Sequence, residues 1–113
     1  MTISGPYGQY TVEAIVDPGA TFSSIPAPAL IELGIEAHRI VRMHSGDGGV
    51  RFRQLGRALT TVGSQEDVAP VLFGEPGEPA VVGAVTLAIL LMRLDPDTGG
   101  LLPIEAKSGS ASA

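Results

Sequence analysis

The stretch Val12-Glu13-Ala14-Ile15-Val16-Asp17-Pro18-Gly19-Ala20-Thr21 decides how this chain is read. Alternation from Tyr10 to Val16 predicts a strand with Tyr10, Val12, Ala14 and Val16 on one face. Asp17 falls at the strand end, on the opposite face. Pro18-Gly19-Ala20 must then turn the chain, and Phe22 to Ile25 resumes an extended course. A carboxylate followed by glycine and a very small residue is presented from a tight, backbone-rich loop. Taken alone, such an aspartate is usually a turn residue that caps nearby N–H groups. Far down the chain Val81-Val82-Gly83-Ala84 repeats the arrangement of a hydrophobic strand running into glycine.

Outward from this stretch, Pro26-Ala27-Pro28 opens a predicted short helix through Leu33. Proline suits a first helical turn, and Gly34 stands where a C-terminal cap belongs. Leu30 and Leu33 are expected to face the core. Arg39 to His44 and Val50 to Leu55 flank Ser45-Gly46-Asp47-Gly48-Gly49, a strong hairpin signal. Five of the seven basic residues lie here, Arg39, Arg42, Arg51, Arg53 and Arg57, so the hairpin is expected to be exposed. Ala58 to Val62 and Val68 to Phe73 read as two further strands joined by Gly63 to Asp67. Gly74-Glu75-Pro76-Gly77-Glu78-Pro79 holds two collagen-like triplets, too few for a triple helix, and reads as a loop. Beyond Ala84, Leu87, Leu90, Leu91 and Leu94 follow helical spacing to about Asp95-Pro96. Asp97 to Gly100 is a turn, and Leu101 to Ile104 is a last extended segment.

The bulk properties exclude several classes. With 113 residues the chain supports one domain, assigned to 1–106, and 107–113 reads as a polar disordered tail or linker. A net charge of −5 disfavours nucleic acid as a partner, because phosphate contacts need a basic surface. The absence of cysteine removes disulfides, zinc–thiolate sites and thiol nucleophiles. His38 and His44 cannot form a metal site by themselves, and no metal or organic cofactor is expected. Ser23 and Ser24 lack a neighbouring histidine–acid pattern. No basic segment followed by an apolar run marks a signal peptide. The most apolar run, Ala80 to Met92, is broken by Gly83 and Thr86 and falls short of the roughly 18 residues of a membrane span. No membrane partner is expected, and a cytoplasmic location is the default.

The order of elements from about Tyr10 to Ile104 resembles the single-domain, retropepsin-like aspartic proteases. The resemblance rests on Val16-Asp17-Pro18-Gly19-Ala20, Ala29-Leu30-Ile31-Glu32-Leu33-Gly34-Ile35, the hairpin around Asp47-Gly48, Val81-Val82-Gly83-Ala84, and Leu94-Asp95-Pro96. It implies a mostly β, acid-protease half-barrel with a flap hairpin and one or two short helices. It also implies a homodimer that pairs one Asp17 from each protomer to activate water for peptide-bond hydrolysis. Paired carboxylates share one proton because like charges so close do not both ionise easily, which sets an optimum on the acid side of neutral. The expected partners are a second copy and an extended peptide or protein substrate. By the resemblance Asp17 is catalytic, and Pro18, Gly19, Ala20 and Thr21 form the active-site loop. Met43, His44, Ser45, Gly46, Asp47, Gly48, Gly49, Val50, Val82 and Gly83 contact substrate.

The chain departs from the family pattern after the aspartate. Where the family has Thr or Ser bracing two loops across the dimer axis, Pro18 offers neither a hydroxyl nor an N–H. Viral members also carry bracing acids after the loop and an arginine after the late glycine. Thr21, Phe22 and Ala84 stand at those places. The alternative implied is a noncatalytic domain that keeps the fold for dimerisation or peptide binding.

Overall fold

A computed structural model describes residues 1–109. In chain order these form β1 (Thr2–Gly5), β2 (Gly8–Thr11), β3 (Ile15–Val16), β4 (Ser23–Pro26), α1 (Ala27–Glu32), β5 (Ala37–His44) and β6 (Val50–Val62). There follow β7 (Gln65–Gly74), β8 (Val81–Val82), α2 (Ala84–Ile89), β9 (Met92–Leu94) and β10 (Leu101–Pro103). The protein is mostly β, with a strongly curled, mixed half-barrel sheet and two short helices.

The sheet runs β2-β1-β6-β7-β4-β8-β3, with β5 added to β6. The 13-residue strand β6 organises it. One edge takes β5 between Val50 and Gly56, then β1 between Leu59 and Thr61. The other edge takes β7 from Leu55 to Val62. Residues 50–54 therefore have no β7 neighbour, and β5 with this half of β6 projects as a two-stranded arm. The sequence reading divided β6 into Val50–Leu55 and Ala58–Val62. Gly56 and Arg57 read as a break, yet both keep ladder partners in β7, Val71 and Pro70. The expected Gly63–Asp67 loop shrinks likewise to Gly63–Ser64, because Gln65, Glu66 and Asp67 pair with Val62, Thr61 and Thr60. Gly63, at φ 59°, supplies the positive angle that a two-residue hairpin turn needs at its first position.

α1 ends as its composition predicts. Gly34 adopts φ 78°, its N–H bonds Ile31 O, and the Ile35 N–H reaches Leu30 O. This double bond is the Schellman closure, completed by burial of both Leu30 and Ile35. Ile3, Ile25, Leu30, Leu33, Ala58 and Val71 fill the main core beneath it. A second cluster of Val62, Val82, Leu87 and Leu90 sits under α2.

Two expectations near the ends fail. The segment from Tyr10 to Val16 is two strands, β2 and β3, separated by Val12 to Ala14. β2 turns back on β1, whereas β3 leaves to pair with β8. The helix read from Ala84 to Leu94 stops at Ile89. Leu91 turns to φ 55°, and Met92, Arg93 and Leu94 pair with Pro103, Leu102 and Leu101. Leucine spacing is blind to that pairing, which outweighs the helical propensity of the last turn. No helix among the described residues is long and apolar enough to cross a membrane. The expected polar tail falls partly outside the described residues, and 107–109 are exposed without regular structure.

Candidate functional site

The two strand-to-glycine motifs meet in space. β3 and β8 run parallel, with Ile15 opposite Val81 and Val16 opposite Val82. Their following loops leave the sheet side by side. The Asp17 N–H bonds Val82 O at 3.0 Å, Ala84 N–H bonds Ala20 O at 2.7 Å, and Val85 N–H bonds Thr21 O at 3.0 Å. Gly83 is required at this crossing. A Cβ there would stand 2.4 Å from Phe22 C and 2.6 Å from Phe22 O. The crossing is pinned beneath by two buried hydroxyls, Ser23 Oγ and Thr86 Oγ1, 2.5 Å apart, and Ser23 Oγ also accepts the Gly83 N–H at 3.0 Å.

Asp17 caps this assembly at the surface and is exposed. Its Oδ1 accepts the Gly19 N–H at 2.9 Å, and its carbonyl accepts the Ala20 N–H at 3.1 Å. Its Oδ2 accepts no hydrogen bond from the described residues. The loop after Asp17 divides two grooves. On one side Pro18 joins Ala84, Leu87, Met92, Leu94 and Ile104 around an apolar groove of about 370 Å³. On the other, Gly19, Ala20, Thr21 and Phe22 wall a cleft of about 270 Å³.

The arm formed by β5 and β6 leans over that cleft and contributes Met43 and His44 to it. Its tip, Ser45 to Gly49, is closed by local bonds. The Ser45 N–H bonds Gly49 O at 2.9 Å, the Ser45 hydroxyl donates to Asp47 Oδ1, and the Gly49 N–H reaches the same oxygen at 2.8 Å. The serine bond, then the Gly49 bond, hold the Asp47 carboxyl below its ordinary value. Gly46, Asp47, Gly48 and Val50 are exposed and do not line the cleft. Val82 and Gly83, expected among the substrate contacts, are buried. The Val82 side chain packs with Val62, Leu87 and Leu90, so Val82 offers its carbonyl to Asp17 and no surface to a ligand. From that motif Val81 lines the cleft instead.

Sequence reasoning missed the polar end of this cleft, where Ser24, Arg53 and Glu78 meet. Placement among the arginines of the hairpin predicts an exposed Arg53. Its side chain is only 11% exposed, because alternation puts Val41, Met43, Arg51 and Arg53 together on the inner face of the arm. Arg53 Nη2 lies 2.7 Å from Glu78 Oε1, and its Nε lies 3.2 Å from Glu75 Oε1. Arg51 Nη1 reaches Glu75 Oε2 at 2.9 Å. The loop 75–78 is thereby tied to the arm. Burial raises the Glu78 carboxyl, but hydrogen bonds from Arg53 and Ser24 outweigh it and hold the group below its ordinary value. The available signal was the i, i+2 spacing of Arg51 and Arg53 and the i, i+3 spacing of Glu75 and Glu78, and neither spacing names its partner.

Among the described residues no group of three or more His, Cys, Asp or Glu is placed to hold a metal ion. No protein-family model, curated protein or solved structure matches the chain.

Proposed function

We propose that this chain is one half of an aspartic endopeptidase of the retropepsin-like type, active when two copies bring their Asp17 side chains together. The observation that carries the reading is the placement of Asp17. It is an exposed carboxylate on a loop braced by a second strand–glycine motif, with an open cleft on one side and an apolar face on the other. Loop acids with a single local bond are common. An acid at the crossing of two hydrogen-bonded loops, beside a cleft overhung by a hairpin, has a setting suited to chemistry.

In the paired site, one carboxylate takes a proton from water while the other, protonated, gives its proton to the scissile carbonyl oxygen. The water oxygen bonds to the carbonyl carbon. Collapse of that adduct breaks the C–N bond: the carboxyl that took the water proton gives it to the departing amine, and a hydroxyl of the adduct returns a proton to the other carboxylate, so the pair again shares one proton. Gly19 and Ala20 shape the loop beside the acids. The hairpin from Met43 to Val50 acts as a flap that closes on an extended peptide and excludes water. The apolar groove containing Pro18, Leu87, Met92 and Ile104 supplies a face that a second copy can cover.

Pro18 supports a second reading, a noncatalytic module that binds peptides or dimerises. The residue cannot donate a bond across a two-fold axis, and its ring instead joins the apolar groove. The two readings separate in one experiment. Purified protein and Asp17→Asn are incubated with a mixed peptide library at several acidic pH values, with sedimentation run in parallel. Cleavage by the parent alone supports the peptidase. Equal cleavage by both identifies a contaminant and removes the support. A stable dimer without cleavage favours the binding module.

A further inference from the structure

The polar end of the cleft is a built site with a definable guest. Ser24 is buried, and Arg53 is nearly so. Glu78 Oε1 accepts the Ser24 hydroxyl at 2.8 Å and Arg53 Nη2 at 2.7 Å, while Oε2 accepts Arg53 Nη1 at 3.3 Å. Arg53 Nη2 also donates to Phe73 O at 3.1 Å. The rest of the cleft is the apolar Phe22, Met43, Leu72 and Val81, with Thr21 and the loop backbone, and His44 at the arm. At about 270 Å³ the cleft lies below the usual range of small-molecule sites, and one side chain of a longer ligand fits it better than a whole cofactor.

We infer that this end of the cleft is a subsite for a carboxamide side chain, glutamine or asparagine, of an extended peptide. The inference rests on the cleft taking a peptide, whether or not the peptide is then cut. The reasoning is a count of valences. Arg53 and Glu78 cancel in charge, so the wall is polar yet neutral. A guest carboxylate meets Glu78, and a guest ammonium meets Arg53. In each case the attracting partner is already engaged, and the guest is desolvated beside a like charge. A carboxylate offers about four acceptor positions and a guanidinium five N–H donors. The bonds above leave one acceptor position on Glu78 Oε2 and one N–H on Arg53 Nη1, with the Ser24 oxygen still able to accept. An aliphatic guest covers these groups and leaves them without water or partner. A carboxamide supplies an acceptor and a donor on adjacent atoms, which matches what remains.

The test uses Asp17→Asn protein, so that binding is read without cleavage. Matched short peptides differing only in one central residue, glutamine, glutamate, lysine or leucine, are titrated against ¹⁵N-labelled protein. The glutamine peptide is expected to bind about tenfold tighter than the others, the equivalent of one net hydrogen bond, and to shift the amides of Ser24, Arg53 and Glu78. In the Asp17→Asn, Glu78→Gln double variant Arg53 keeps only Glu75, which it shares with Arg51, as counter-charge, and preference should move to the glutamate peptide. Equal or better binding of leucine, binding that leaves Ser24 and Glu78 unshifted, or no binding of any of these peptides overturns the subsite. Parent cleavage that depends on Asp17, combined with no glutamine preference, keeps the peptidase and removes the subsite. Glutamine-selective binding without any cleavage keeps the subsite and removes the peptidase.

Discussion

Replacing Gly83 by alanine should break the crossing on which Asp17 stands. The added Cβ meets Phe22 C at 2.4 Å, Phe22 O at 2.6 Å and Ala20 O at 2.9 Å, all of them backbone atoms that no rotamer change can move. Ordinary contact begins at 3.4 Å, so the loops must part by 3.4 − 2.4, about 1 Å. That movement takes the 2.7 Å bond from Ala84 to Ala20 to about 3.7 Å, past hydrogen-bond range. The bonds from Val85 to Thr21 and from Gly83 to Ser23 are strained with it. Overpacking of about 1–3 kcal/mol, about 1 kcal/mol for the bond lost and about 1 kcal/mol for the two strained bonds together give a total of about 3–5 kcal/mol. For a domain of this size that is a melting-temperature fall of about 12 °C or more. The assay is thermal unfolding followed by circular dichroism, with Gly46→Ala as control. Gly46 has no atom within 4 Å of its added Cβ, and its variant should melt with the parent. A Gly83→Ala protein that melts within about 3 °C of the parent would refute the close approach of the two loops.

The hydroxyl pair under the crossing makes a second, graded prediction. Ser23→Ala strips partners from both Gly83 N and Thr86, whereas Thr86→Val leaves Ser23 still bonded to Gly83. Urea unfolding should show a loss of about 2–4 kcal/mol for the first and about 1–2 kcal/mol for the second, with a double variant less destabilised than their sum. Glu78→Gln should cost about 1 kcal/mol at neutral pH, near the value of an exposed pair because Glu78 keeps contact with water. The Glu78 carboxyl is lowered by folding, so its contribution is full above its ordinary value of 4.5 and is lost as pH falls below that. Urea midpoints measured through that window should therefore converge for parent and Glu78→Gln in acid, and parallel curves would contradict the Arg53–Glu78 link. Pro18→Thr should tighten self-association in sedimentation, and an unchanged protein would clear Pro18 as the weak point of the proposed dimer.

Local chemistry was legible from the chain alone. Proline in the first turn of α1, Gly34 at its end and Asp47-Gly48 in the arm act over a few residues, through φ angles and nearby N–H groups, and the fold uses each as written. So does the recurrence of a strand running into glycine, although the chain could not say that β3 and β8 lie parallel with Val16 opposite Val82. Partner choice across long stretches was decided only by tertiary structure. Leu91 leaves the helix because β9 finds β10, and Gly56 continues a strand because β7 holds it. Arg53 turns inward because Glu75 and Glu78 arrive from another loop. Spacing records which residues share a face, while the identity of what that face meets depends on sheet order. For that reason Asp17 could be singled out as a candidate from its neighbours in the chain, and the Ser24–Arg53–Glu78 end of the cleft could be found only once the strands were in place.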